Sequence, residues 1–127
     1  MVIPTYNERD NIQLILSEVF SVIPSIHVLV VDSNSPDGTA SVVQELMRTY
    51  PNLALLVQAQ KNGIGGAYID GFKEILKDPE VGHVIMMDAD FSHNPKYLPE
   101  LLRQSDQYDL VIGSRYVRGG GIIGWSW

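Results

Sequence analysis

The apolar positions of the chain change period as it is read. Ile12, Ile15, Leu16 and Val19 recur at helical spacing after the polar stretch Asn7-Glu8-Arg9-Asp10, which predicts a helix whose first turn Asn7 or Asp10 caps. HVLVV (27–31) is short, branched and apolar and stops at DSNSPDG, a row of loop formers, so a buried strand followed by a turn is expected. Val42, Val43, Leu46, Met47 and Tyr50 make the next helical stripe, Pro51 ends it, and LALLVQ (53–58) reads as a strand. KNGIGG (61–66) opens a helix carrying Ala67, Phe72, Ile75 and Leu76. HVIMM (83–87) reads as a strand, Pro95 to about Gln104 as a helix, and DLVIGS (109–114) as a further strand.

Strands without polar alternation, separated by amphipathic helices, predict an α/β fold: a mostly parallel, Rossmann-like sheet with helices on both faces. In such sheets ligands bind outside the carboxyl ends of the strands. Length and composition fit one domain over residues 1–127, since 45% hydrophobic content supplies a core. Val2-Ile3 resembles the end of a strand whose beginning is absent, and GGGIIGWSW offers no element to bury Trp125 and Trp127. The expectation is therefore a piece of a longer protein. With 15 acidic and 9 basic side chains the formal charge is −6, which leaves no cationic surplus for nucleic acid. No cysteine is present, so disulfides and thiolate metal sites are excluded. No apolar run reaches the ~18–20 residues that span a bilayer.

The predicted strand ends carry Pro4-Thr5-Tyr6-Asn7-Glu8, Asp32-Ser33-Asn34, Asp88-Ala89-Asp90 and Ser114-Arg115. In a parallel sheet these converge on one edge, where carboxylates repel one another unless a cation compensates. The donors are oxygen only, which suits Mg²⁺ or Mn²⁺ over zinc, with His93 as a weak additional ligand. Asp88 and Asp90 are two apart, so both can face one crevice, and a metal bridging the pair to a diphosphate follows. The plainer alternative is that Asp88 ends the strand and Asp90 caps the helix near Pro95. GIGG beside Lys61 either cradles phosphate at a helix N-terminus or is an ordinary strand-to-helix loop; it matches neither the Walker pattern nor G-x-G-x-x-G. Arg115 either pairs with phosphate or forms a surface salt bridge. No G-x-S-x-G elbow is present.

Taken together, VIPTYNERDN, VVDSNSPDGT, GGAYIDGFK, MMDADFSHNPKYLPELL and GSRYVRGGG closely resemble the dolichol-phosphate (polyprenol-phosphate) mannosyltransferases of glycosyltransferase family 2, in five ordered motifs across nearly the whole chain. The resemblance implies a GT-A fold and transfer of mannose from GDP-mannose to a polyprenyl (dolichyl) phosphate, with inversion and with Mg²⁺ or Mn²⁺ as cofactor. It implies that Pro4, Tyr6 and Glu8 contact the nucleotide together with Val31, Asp32 and Ser33. By the same similarity Asp88 and Ala89 lie along the ribose and diphosphate, Asp90 holds the metal with help from Ser92, and Arg115 meets phosphate. Lys61 and Arg118 are possible helpers. Two adjacent acids usually follow the second strand in this family; here the pair is Asp32-Ser33, and Ser33 carries no charge. Family members also continue into a region that completes the acceptor site and often docks on a membrane. The implied setting is the cytoplasmic face of a membrane, peripherally or through a membrane-anchored subunit.

The departing diphosphate gains negative charge that a divalent ion neutralises. The acceptor phosphate monoester, with a second pKa of roughly 6, is largely ionised near neutral pH and attacks without a dedicated base. Three other readings stand beside this one: glucose transfer from UDP-glucose to the same kind of lipid, a non-catalytic nucleotide-binding module, and a phosphoacceptor receiver domain. The receiver fits VLVVDSNS but not D-x-D followed by Ser114-Arg115.

Overall fold

Val2–Thr5 (β1), Val28–Asp32 (β2) and Leu53–Val57 (β3) pair in parallel in the order β1-β2-β3. The computed structural model describes residues 1–117 and 119–121. They fall into two compact units, Met1–Lys96 and a second that begins at Tyr97. Every residue of β1 and β2 is buried, as expected for strands that lack polar alternation and are covered on both faces.

Arg9–Val22 (α1) and Thr39–Leu46 (α2) link these strands, and Gly63–Ile75 (α3) follows β3. From β1 to β2 to β3 the chain steps in one direction, so right-handed crossovers put α1 and α2 on one face, where they pack on each other. After β3 the chain turns back, and Met86 makes a parallel bridge with Val2 on the other edge of β1. The Val2 N–H donates to the Ile85 carbonyl at 2.8 Å, and the Met87 N–H to the Val2 carbonyl at 3.2 Å. That reversal sends α3 to the opposite face, against β1 and β2.

On the α3 face Val2, Leu29 and Val31 meet Ala67 and Tyr68, with Leu56, Phe72 and Ile75 packed around them. Gly71 makes the approach possible: a Cβ there would stand 2.6 Å from Val2 Cγ1 and 3.1 Å from Val31 Cγ2. On the other face Ile3 and Val30 are buried, as are Ile12, Ile15, Leu16 and Val19 of α1. Phe20, near the end of α1, stacks on Tyr50 with ring centroids 4.3 Å apart.

Several expectations need correction. Residues 83–87 form one bridge and not a strand, because β1 is their only ladder partner among the described residues. Residues 109–114 form no strand, and Leu110 and Ile112 are exposed. An apolar run needs a neighbouring backbone to become a strand, and this one has none among the described residues. α2 ends before Met47, which is exposed, and Tyr50 packs from the following turn. The helix expected from Pro95 is a 3₁₀ turn, Pro95–Tyr97, followed by Leu98–Ser105 (α4). Neither Asn7 nor Asp10 caps α1; its leading N–H groups are taken by Asp37 and Thr39. Arg118, Trp125 and Trp127 lie outside the described residues.

Candidate functional site

The strand order reverses between β1 and the Met86 segment, which is where an α/β sheet opens a crevice at its carboxyl edge. A cleft of about 250 Å³ lies there. The end of β1 and the loop after it supply Pro4, Thr5, Tyr6 and Glu8, and the end of β2 supplies Ser33. Lys61, Gly63, Ile64 and Ala67 come from the start of α3, and Asp88, Ala89 and Asp90 follow the Met86 bridge. Among the described lining residues three carboxylates face a single ammonium, that of Lys61, whose Nζ sits 3.5 Å from the centroid of the Tyr6 ring. An anionic ligand would be repelled from such a cleft unless a cation entered with it.

Two loops hold each other at this edge. Asp32 is fully buried; its Oδ1 accepts from the Thr5 hydroxyl at 2.9 Å and the Ser35 hydroxyl at 2.6 Å, and its Oδ2 from the Ser35 N–H at 2.8 Å. Ser35 Oγ in turn accepts the Asn7 N–H at 3.0 Å, Asp37 Oδ2 the Arg9 N–H at 3.1 Å and Thr39 Oγ1 the Glu8 N–H at 3.1 Å. The side chains of 35–39 thereby satisfy donors at the start of α1 that the helix cannot satisfy itself. Asn7 and Asn34 take left-handed backbone angles, 61° and 57° in φ, that Asn tolerates better than most residues. Burial works against ionisation of Asp37, yet bonds from the Thr39 hydroxyl and the N–H groups of Thr39 and Arg9 hold its carboxyl below the usual range.

The acidic pair is oriented by neighbours. The Tyr68 hydroxyl donates to Asp88 Oδ1 at 3.0 Å, while the Asp88 N–H donates to His93 Nδ1 at 3.1 Å. Burial, and then Asp88, push the Tyr68 phenol above its ordinary pKa, so it stays a donor. The Ser92 N–H donates to Asp90 Oδ1 at 2.9 Å. Ser92, through its side chain and its N–H, holds the Asp90 carboxyl below the usual range. Asp90 therefore does not cap the helix; the N–H of Lys96 is taken by Asn94 Oδ1. The Nδ1 lone pair of His93 is committed to the backbone, which leaves only Nε2 for any ligand role.

Asp88 and Asp90 bring carboxylate oxygens to the cleft, the donor type that hard divalent cations take. No cluster of three or more His, Cys, Asp or Glu that could hold a metal ion is present among the described residues; Asp88 and Asp90 both line the cleft. Such a site suits a hard cation that completes its shell with water and ligand phosphates.

Of the residues expected to act, Pro4, Tyr6, Glu8, Ser33, Asp88, Ala89 and Asp90 line one cleft. Ser92 is exposed and bonded to Asp90, while Val31 and Asp32 are buried beneath the edge. Arg115 belongs to the second unit, where it is exposed on a turn. The sequence reading missed Tyr68, although its place one position from Ala67 and three from Gly71 on a buried helix stripe was a usable signal.

The model for Glycosyl transferase family 2 matches residues 1–127. The chain belongs to glycosyltransferase family 2. Among the family's curated members, a Mycolicibacterium smegmatis polyprenol monophosphomannose synthase is 44% identical over 131 residues, covering 100% of this chain and 48% of the relative. A Micrococcus luteus undecaprenyl-phosphate mannosyltransferase is 44% identical over 126 residues, covering 98% and 51%. The chain thus spans about half the length of the curated relatives it matches. Among solved structures, the mannosyltransferase PcManGT of Pyrobaculum calidifontis, in complex with GDP-Man and Mn²⁺, superposes with a TM-score of 0.59 at 29% identity, over 70% of this chain and 26% of that one. S. aureus TarS superposes with a TM-score of 0.65 at 25% identity, over 85% and 32%. The α/β architecture is that of the GT-A glycosyltransferases, and the family match removes the receiver-domain alternative.

Proposed function

We propose that the chain is the nucleotide-sugar-binding part of a metal-dependent, inverting mannosyltransferase that moves mannose from GDP-mannose to a dolichyl or other polyprenyl phosphate. The observation that carries this reading is the cleft at the sheet reversal, where Glu8, Asp88 and Asp90 stand against one lysine. A nucleoside diphosphate sugar enters such a cleft together with a divalent cation. Support for the donor and acceptor comes from the two relatives named for polyprenyl-phosphate mannose chemistry and from the neighbour that carries GDP-Man and Mn²⁺.

In the mechanism that follows, one acceptor phosphate oxygen bonds to the anomeric carbon of mannose as the bond from that carbon to GDP breaks, and the configuration inverts. Asp88 and Asp90 would hold Mg²⁺ or Mn²⁺, which when bound supplies Lewis-acid stabilisation of the leaving diphosphate. Tyr68 orients Asp88, and Ser92 orients Asp90. Pro4, Tyr6, Glu8 and Ser33 bound the nucleoside, with Val31 and Asp32 supporting them from below, and Ala89 lies along the sugar-diphosphate. Arg115 is assigned to phosphate. No general base is required, because the acceptor is already an anion. A lipid phosphate acceptor sets the work at a membrane, and we assign it to the cytoplasmic face, reached peripherally or through a membrane-anchored subunit. Among the described residues no helix is long and apolar enough to cross a membrane.

Calorimetric titration with GDP-mannose and UDP-glucose side by side, each with Mn²⁺, tests the donor. Saturable binding of GDP-mannose at concentrations where UDP-glucose gives little heat is expected. Preference for UDP-glucose would replace mannose transfer by glucose transfer.

A further inference from the structure

Ser33 is connected through Gln58 to a charge outside the cleft. Its hydroxyl donates to Gln58 Oε1 at 2.8 Å, and Gln58 Nε2 donates to Asp70 Oδ2 at 2.6 Å. Ser33 and Gln58 are both buried, at 5% and 6% exposure, so bulk water does not compete for the bond between them, while the Gln58–Asp70 bond is part-buried. Both backbones are fixed by continuation of the sheet: the Ser33 N–H donates to the Thr5 carbonyl at 2.9 Å and the Gln58 N–H to the Asp32 carbonyl at 2.8 Å. Asp70 projects from α3 with Lys73 4.0 Å from its carboxylate.

The chemistry of these groups gives the chain a direction. A carboxylate only accepts, so Asp70 requires the NH₂ end of the Gln58 amide. The carbonyl end is then left facing Ser33, and a carbonyl only accepts. The one hydroxyl proton of Ser33 is thereby committed inward, and toward the cleft Ser33 offers lone pairs alone.

We infer that Asp70 and Gln58 lock Ser33 as a one-way acceptor that recognises a hydrogen-bond donor of the bound nucleoside, a base N–H or a ribose hydroxyl. The polarity of this neutral acceptor is set from α3 and not by its own charge. Ser33 is the contact residue; Gln58 and Asp70 are positioning residues that do not line the cleft. This rests on the nucleotide-sugar reading above and deepens it.

The test combines binding with a spectroscopic signature. With Mn²⁺ present, Ser33→Ala is expected to weaken GDP about 3- to 10-fold, the effect of one neutral hydrogen bond. Comparison with inosine diphosphate and 2′-deoxy-GDP identifies the donor, because the analogue that lacks it binds wild type and Ser33→Ala alike. Asp70→Ala, which frees the Gln58 amide to turn over, is expected to weaken GDP by a smaller factor, and the Ser33→Ala/Asp70→Ala double variant no further than Ser33→Ala alone. Independently of any nucleotide, the Gln58 side-chain amide protons in the NMR spectrum should shift in Asp70→Ala. Losses that add in the double variant, or undiminished GDP binding by Ser33→Ala, would overturn the inference while leaving the nucleotide reading intact. If wild type bound no nucleotide the functional reading would fall, and a Gln58 amide unmoved by Asp70→Ala would separately remove the lock.

Discussion

The Tyr68 hydroxyl donates to Asp88 Oδ1 at 3.0 Å across twenty residues of sequence, joining the buried face of α3 to the acidic loop of the cleft. Tyr68 sits against β1 and β2 through the same cluster that holds Val2 and Val31, so one carboxylate of the proposed metal pair is positioned by the core itself.

From this contact a first outcome follows. Tyr68→Phe keeps the ring in place but leaves Asp88 to choose its own rotamer. Loss of an outer hydrogen-bond partner typically lowers metal affinity by 10- to 100-fold, and about 10-fold weaker Mn²⁺-dependent binding of GDP-mannose is expected here. Urea unfolding of the same variant checks that the core is intact.

Gly71 should not tolerate a methyl group. Gly71→Ala would drive a Cβ to 2.6 Å from Val2 Cγ1, and overpacking of this kind costs about 1–3 kcal/mol, more than the helix propensity it gains. Gly65→Ala in the same helix meets nothing within 4 Å and should be neutral or stabilising by up to ~1 kcal/mol. Chemical denaturation of the two variants gives the comparison directly.

Acid should loosen the docking between the loop 35–39 and the start of α1. Asp37 has a folded pKa below its ordinary value of 3.8, so it contributes stability at pH above that value and loses the contribution as pH falls through the folded one. Unfolding midpoints measured as pH is lowered toward and below 3.8 should drop less steeply in Asp37→Asn than in wild type, with Asp37→Asn the less stable near neutrality.

Much of this was legible from residue pattern. HVLVV and LALLVQ became β2 and β3 within a residue or so, because an apolar branched run bounded by turn formers has few other solutions. Asp88 and Asp90 drew attention through their place after such a run, and both line the cleft. HVIMM and DLVIGS failed for one reason: strand pairing is non-local, and a sequence window does not state whether a partner is present. The Ser33–Gln58–Asp70 chain was invisible for a related reason. Its members stand 25 and 12 residues apart and are brought together only by the ends of two neighbouring strands and a returning helix. The resemblance puts Asp32 at the nucleotide; in the structure it is buried, with Oδ1 bonded by the Thr5 and Ser35 hydroxyls and Oδ2 by the Ser35 N–H, so it also shapes the loop beside the cleft, which no sequence window shows.

The central claim is that Asp88 and Asp90 bring a divalent ion to the cleft so that a nucleoside diphosphate sugar can bind among carboxylates. Calorimetry of GDP-mannose with wild type and Asp90→Ala, each with Mn²⁺ and with chelator, measures this directly. The account predicts binding by wild type that disappears on chelation and is lost or at least about 10-fold weaker in Asp90→Ala. Equal affinity with and without the ion, or an Asp90→Ala chain that binds as wild type does, would contradict it.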